Sequence, residues 1–179
     1  MNFCSLNESH SDTDFDCGNE DLNSFLQNFA LIFQKRHFGI TIVGVSQENT
    51  IVGYYTLCPA SIQRESLPAK LFKGPQPNPI PAFRLCRLAV SKKYQGQGYG
   101  KILLIHALKK CIVQSRQIGG SAILVDAKHN QAKQFYIKFG FVPLSEDSLN
   151  LIQRTSYLEE HFNRADAALL SDSKANKCC

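Results

Sequence analysis

RLAVSKKYQGQGYGKILL, residues 87–104, decides the reading of this chain. A strand-like apolar run ends at Val90, glycines follow at 96, 98 and 100, and a helix continues with Leu104, Leu108, Cys111 and Ile112 on one face. The start of a helix carries about half a positive charge and several amides without intrahelical partners, so it attracts phosphate. Gly96, Gly98 and Gly100 remove side chains where a phosphate must approach and permit backbone angles closed to other residues. The pattern is not a Walker loop, because Gly-Lys-Ser/Thr is missing. Nor is it a dinucleotide fingerprint, because the glycine spacing differs and no acid follows about twenty residues later. On the glycines alone, a tight strand-to-helix turn without a ligand remains the alternative.

Working outward, strand and helix patterns alternate, which implies an α/β (α+β) sheet with helices packed on it. Leu22, Phe25, Leu26 and Phe29 have helical spacing, with Asn19 as cap and Glu20 and Asp21 in the first turn. GITIVGVS and NTIVGYYTLC read as a hairpin. Pro68, Pro75, Pro77, Pro79 and Pro81 then predict an extended loop. AFRLCRLAV and SAILVDA read as buried strands. Ala132, Phe135 and Phe139 line a further helix, which Gly140 ends in a left-handed turn. LNLIQ is the expected last strand and residues 155–170 a terminal helix. The organisation is one domain over 1–170, with 171–179 an unstructured tail.

Hydrophobic residues make up 44% and charged residues 20%, which are globular values. No apolar run is long enough to span a bilayer and the start lacks a basic leader, so a cytoplasmic protein without membrane contact is expected. Seven cysteines without a Cys-x-x-Cys pair point to free thiols and to no metal site. Charge is uneven about its net +5. Residues 1–21 hold six acids and no Lys or Arg, whereas residues 66–125 hold ten Lys or Arg and no acid. Such a tract implies a positive field and a polyphosphate or nucleic acid as partner.

The segment Gln95-Gly96-Gln97-Gly98-Tyr99-Gly100, after Leu88-Ala89-Val90, resembles the acyl-carrier signature of the GCN5-related N-acetyltransferase (GNAT) superfamily. VDAKHNQAKQFYIKFGF resembles its second signature, a helical Ala-x-x-x-Tyr before Phe-Gly-Phe. The resemblance implies a mixed central sheet of six to seven strands flanked by helices. It also implies that these loop residues grip the pyrophosphate of acetyl-coenzyme A while Leu88, Ala89 and Val90 flank its pantetheine. Tyr136 then protonates the departing thiolate, and an N–H near Leu88 or Ala89 serves as oxyanion donor. Where many members carry an asparagine for coenzyme A, this chain has His129 with Asn130 beside it, so Asn130 is the candidate.

FDCGNEDLNSFLQNFA, IVGYYTLCPASI, PNPIPAFRLCRLAV and FYIKFGFVPL sharpen the likeness, over residues 13–152, to GNAT toxins of bacterial toxin–antitoxin pairs. Those enzymes acetylate the amino group of aminoacyl-tRNA and stop translation. The resemblance implies aminoacyl-tRNA as substrate and a cognate ribbon-helix-helix antitoxin as partner, and it leaves a homodimer open. Arg87, Lys92 and Lys93 flank the cofactor loop, and Lys35 and Arg36 follow the first helix, so these five are the candidate tRNA contacts.

Amide formation from a thioester needs a neutral amine, a polarised carbonyl and a proton for sulfur. No carboxylate stands out as general base. An α-amine, with a pKa of about 8, requires none, whereas a lysine amine at about 10.4 requires more help. Tyr54, Tyr55 and His106 are further proton carriers to weigh, His106 chiefly as a packing residue. Acetylation of a small-molecule or protein amine, and a non-catalytic coenzyme A-binding module, are the competing readings.

Overall fold

A computed structural model describes residues 1–10, 14–68, 71–72 and 74–164. Seven strands form one sheet: β1 (Asn2–Ser5), β2 (Ile40–Val45), β3 (Ile51–Ile62), β4 (Ile80–Val90), β5 (Ala122–Asp126), β6 (Val142–Pro143) and β7 (Asn150–Arg154). Their order is β1-β2-β3-β4-β5-β7-β6. Only β4 and β5 run parallel; every other neighbouring pair is antiparallel.

The connection between β4 and β5 is helix α3 (Tyr99–Ile118), as a parallel crossover requires. It is numbered after α1 (Glu20–Ser24) and α2 (Ala30–Lys35), and precedes α4 (Asn130–Ile137) and a last helix α5 over 155–164. Leu103, Leu104 and Leu108 of α3 are fully buried with Tyr55, Ile123 and Leu151 on one sheet face. Tyr54, one residue before Tyr55 and therefore pointing the other way, joins Phe15, Phe25, Leu26 and Ala30 on the opposite face. Both tyrosines are completely buried, so helices cover the sheet on both sides at its centre.

The expected hairpin, central strands and last strand are present, and Asn19 caps α1 by accepting from the Leu22 amide. Two expectations change. Pro81 lies inside β4, opposite Ser61, so the loop ends a residue earlier than Ile80; near a strand start the missing N–H costs the ladder little. Phe29 is 57% exposed although its spacing predicts the core. Residues Phe25–Phe29 form a π-helical turn, in which the Ala30 amide reaches back to the Phe25 carbonyl. The added residue rotates Phe29 outward and gives the inner place to Ala30, which is fully buried. The tail from residue 171 and the domain limit at 170 lie outside the described residues.

Candidate active site

Strands β4 and β5 pair only from Ala82↔Ala122 to Leu85↔Val125, yet β4 continues to Val90. Its last five residues thus have β3 on one side and no strand on the other. The separation begins at a β-bulge. Leu57 faces Leu85 and Thr56 faces Arg87, so Cys86 is the extra residue. Beyond it, the Ser91 amide donates to Val52 on the β3 side. By the alternation of an antiparallel ladder, the N–H and C=O groups of Leu88 and Val90 point away from β3, into the gap. The Val90 carbonyl there accepts from the Gln95 side chain at 2.9 Å.

The gap leads to the start of α3. Gly96 (φ 75°) and Gly98 (φ 86°) are left-handed, and a side chain added at either would meet nothing within 4 Å. None of the five amides from Gly96 to Gly100 donates to a protein acceptor among the described residues, and Gly98 leaves α3 without a side-chain cap. Five uncapped amides at the positive end of a twenty-residue helix, with open space before them, form a built anion cradle. Gly100 lies between elements: a Cβ there would be 3.9 Å from Val90 Cγ2 and 4.0 Å from Phe135 Cζ. The strand end, the cradle and α4 therefore converge.

Gln95 has a different part from the one its motif suggests. Its side-chain amide donates to both the Cys17 and Val90 carbonyls at 2.9 Å, and its backbone N–H donates to Lys92. It fastens the loop and leaves no donor for a ligand. Gln97 likewise donates to the Lys93 carbonyl at 3.1 Å. His129 caps α4, accepting from the Ala132 amide, and Asn130 is exposed at the first turn.

Tyr136 is 9% exposed, packed edge-on against Phe135 and Phe141. Phe135 and Phe139, expected as the buried face, are only partly buried, and Tyr136 sits deeper. Its hydroxyl has no hydrogen-bond partner among the described residues, yet no described buried polar side-chain atom is sealed without one, so the oxygen keeps an opening. Burial, with the Asp126 carboxylate adding to it, pushes the phenol up to about 12, so it holds its proton at neutral pH. The other aromatic candidates are spent internally. Tyr54 donates to the Leu22 carbonyl at 2.8 Å, and Tyr55 pairs with His106, which also stacks on Phe3 at 3.8 Å.

On the other side of β4 from α3, a cleft of about 750 Å³ opens between α1, the π-helical turn and the loop before α4. Phe25, Phe29 and Phe33 give it an apolar wall, and Cys86 and Arg87 form its β4 edge. The Arg87 guanidinium lies 3.5 Å over the Phe25 ring. Asp21 and Lys128 pair across the mouth at 3.6 Å, with Glu20 beside them. Sequence reading misses this cleft, because its wall depends on a π-helical turn and its edge on a bulge, neither marked by a glycine or proline.

The basic tract is less bare than its acid-free sequence implies. Arg84 pairs with Asp126, Lys92 with Asp16 at 2.8 Å and Arg116 with Glu159, each acid lying outside residues 66–125. Lys35 is paired with Glu8 at 2.8 Å. Lys92 holds the Asp16 carboxyl down to about 2, with the Gly18 amide and Asn23 assisting. Arg87, Lys93 and Arg36 are the candidates without a carboxylate partner among the described residues. No helix there is long and apolar enough to cross a membrane, and no cluster of side chains suits a metal ion.

Residues 38–143 match the acetyltransferase (GNAT) domain family. A tRNA-acetylating toxin of Mycobacterium tuberculosis (strain ATCC 25618 / H37Rv) is 32% identical over 147 residues, 82% of this chain and 87% of that protein. Among solved structures, a tyrosine-to-phenylalanine variant of KacT superposes with a TM-score of 0.80 at 30% identity, over 89% of this chain and 97% of KacT. AtaT complexed with acetyl-methionyl-tRNAfMet gives 0.78 at 29% identity, over 90% and 98%. AtaTR bound with AcCoA gives 0.76 at 32% identity, over 90% and 97%.

Proposed function

This chain belongs to the GNAT acetyltransferase family, and from that premise we propose that it moves the acetyl group of acetyl-coenzyme A onto the α-amine of an aminoacyl-tRNA. One observation carries the proposal: the uncapped amides of Gly96–Gly100 lie at the end of the unpaired edge of β4, with Phe135 of α4, the helix that carries Tyr136, next to Gly100. Acetyl-coenzyme A supplies an activated thioester. The chain's own groups do the rest. The cradle amides bind the pyrophosphate, and the backbone groups of Leu88 and Val90 orient the pantetheine arm, with the Leu88 N–H able to donate to a carbonyl oxygen. Ala89, buried beneath them, and Tyr99, at the first helical position, shape the floor and the entry. Tyr136 delivers a proton to the leaving sulfur. Gln95 positions the loop, and exposed Asn130 contacts the cofactor from α4.

The cleft beyond Cys86 and Arg87 takes the acceptor. Its phenylalanine wall suits an aminoacyl side chain, and Arg87, Lys93 and Arg36 suit RNA phosphates. Lys35 and Lys92 first give up carboxylate partners to join them. The M. tuberculosis relative's activity and the tRNA-bound AtaT support this choice of acceptor. An N-acetylated aminoacyl-tRNA has lost the amine that peptide-bond formation uses, so the product blocks translation in the cytoplasm. A cognate ribbon-helix-helix antitoxin and a homodimer belong to the same reading; AtaT has been solved with its antitoxin AtaR. Glu20 and Asp21 at the cleft mouth favour a second reading, a cationic small-molecule or peptide amine.

Purified protein with labelled acetyl-coenzyme A and either charged or uncharged tRNA separates them. Label on charged tRNA alone is expected. Label on polyamines or peptides, with none on tRNA, would establish the second reading instead.

A further inference from the structure

The β-bulge that opens β4 also sets two cysteines against each other. Cys58 lies on β3 opposite Arg84, and the extra residue of the bulge is Cys86. Their sulfurs are 2.6 Å apart and both side chains are half-buried. A disulfide between them needs side-chain rotation and no separation of the strands. The other described cysteines are placed differently: Cys111 is sealed in the core, while Cys4 and Cys17 are engaged with His10 and with the Asn19 carbonyl. We propose that Cys58 and Cys86 are a modification site, a dithiol that a low-molecular-weight disulfide oxidises to a cross-strand disulfide at the edge of the acceptor cleft.

Cys58 is the attacking group. Its sulfur shares a hydrogen bond with the Cys86 sulfur, and Arg84 and Arg87 lie close, so its pKa is held below that of an ordinary thiol; the same pairing, with burial, pushes Cys86 up. The Cys58 thiolate attacks one sulfur of the small disulfide and expels a thiolate, which takes up the proton Cys58 released. The Cys86 sulfur then attacks the mixed disulfide at Cys58, gives up its proton and expels the second small thiol. The protein loses two electrons and two protons, and the small disulfide is reduced to two thiols. Cys86 lines the cleft and precedes Arg87, whose guanidinium rests on Phe25. Tying Cys86 to β3 therefore restricts the acceptor side of the site and leaves the Gly96–Gly100 cradle untouched. The disulfide chemistry is independent of the acceptor; only its kinetic consequence rests on the function proposed above.

The test treats the full-length chain with limiting oxidised glutathione, blocks remaining thiols and digests after Lys and Arg without reduction. The expected result is a cross-link between the 37–64 peptide and the three-residue peptide 85–87, lighter by two hydrogens and released by dithiothreitol. In C86S the second step cannot occur, so glutathione should remain on Cys58. Recovery of Cys58 and Cys86 as free thiols while other cysteines react would overturn the site, as would a C86S chain without glutathione on Cys58. These readouts need no acetyl transfer, so they separate failure here from failure of the tRNA reading. In the kinetic assay the oxidised protein should show a several-fold higher acceptor KM and an unchanged KM for acetyl-coenzyme A. An unchanged acceptor KM with the cross-link formed would overturn the coupling to the cleft.

Discussion

At Gly98 the chain turns through φ 86°, and no atom occupies the space where a side chain would stand. G98A meets strain of about 1–2 kcal/mol in the left-handed conformation and fills the space before the cradle. With a charge-assisted hydrogen bond lost as well, acetyl-coenzyme A affinity should fall about ten- to a hundredfold by calorimetric titration. In the proposed function Tyr136 acts at the other end of the same ligand. Y136F removes only the hydroxyl, which holds no protein partner, so kcat should drop about 10²- to 10⁴-fold with little change in acetyl-coenzyme A affinity. An unchanged kcat would remove the proton-donor role. The phenol's ordinary value of 10 is raised to about 12 in the folded state, so its protonated form favours folding below pH 10 and that contribution disappears between 10 and 12. Activity lost at neutral pH must therefore come from other groups, chiefly protonation of the acceptor amine.

Two irregular elements make the site. The bulge at Cys86 lets β4 leave β5, and the π-helical turn at Phe25–Phe29 swings Phe29 out to wall the cleft. Deleting Asn28 restores an uninterrupted α-helical period in which Ala30 keeps its inner place, now seven positions after Leu22, and Phe29 is turned from its present place in the cleft wall; acceptor KM should rise while acetyl-coenzyme A binding, measured separately, stays the same. Close contact at β3 is equally local. A Cβ at Gly53 would come within 2.6 Å of both the Ala89 carbonyl and Leu103 Cδ1. G53A should cost about 1–3 kcal/mol in chemical denaturation, because it presses β4 and α3 apart where the cradle is anchored.

Over the whole molecule, charge is redistributed by folding. The acidic first segment and the last helix return carboxylates to the basic tract, so the field rests on fewer cations than a linear count gives. Asp16 shows the pH consequence. Its folded pKa of about 2 lies below its ordinary 3.8, so its pairing stabilises the fold above about pH 4 and is lost as pH falls through 2. D16N should therefore differ from wild type in an acid titration by circular dichroism above that window and coincide with it below. If Arg36, Arg87 and Lys93 each meet a phosphate, the log–log salt slope of tRNA binding should drop by about 0.7 to 0.9 for each one removed.

The glycine signature, the helical Ala-x-x-x-Tyr and the alternation of strands were legible in the sequence, because each rests on local rules: left-handed angles that only glycine adopts freely, and side-chain periods of 2 and 3.6. They carried the family, and they put forward Gly96–Gly100 and Tyr136 as its proposed site. What folding alone decided concerns residues far apart in sequence. Gln95 became a fastener because Cys17 lies beside it, Lys92 acquired Asp16, and Phe29 left the core because one turn took up an extra residue. Cys58 and Cys86, 28 residues apart, met because a bulge put them on one face of adjacent strands. Sequence periodicity assigns a residue to a face; which partner waits there depends on strand register and on where the chain ends come to rest.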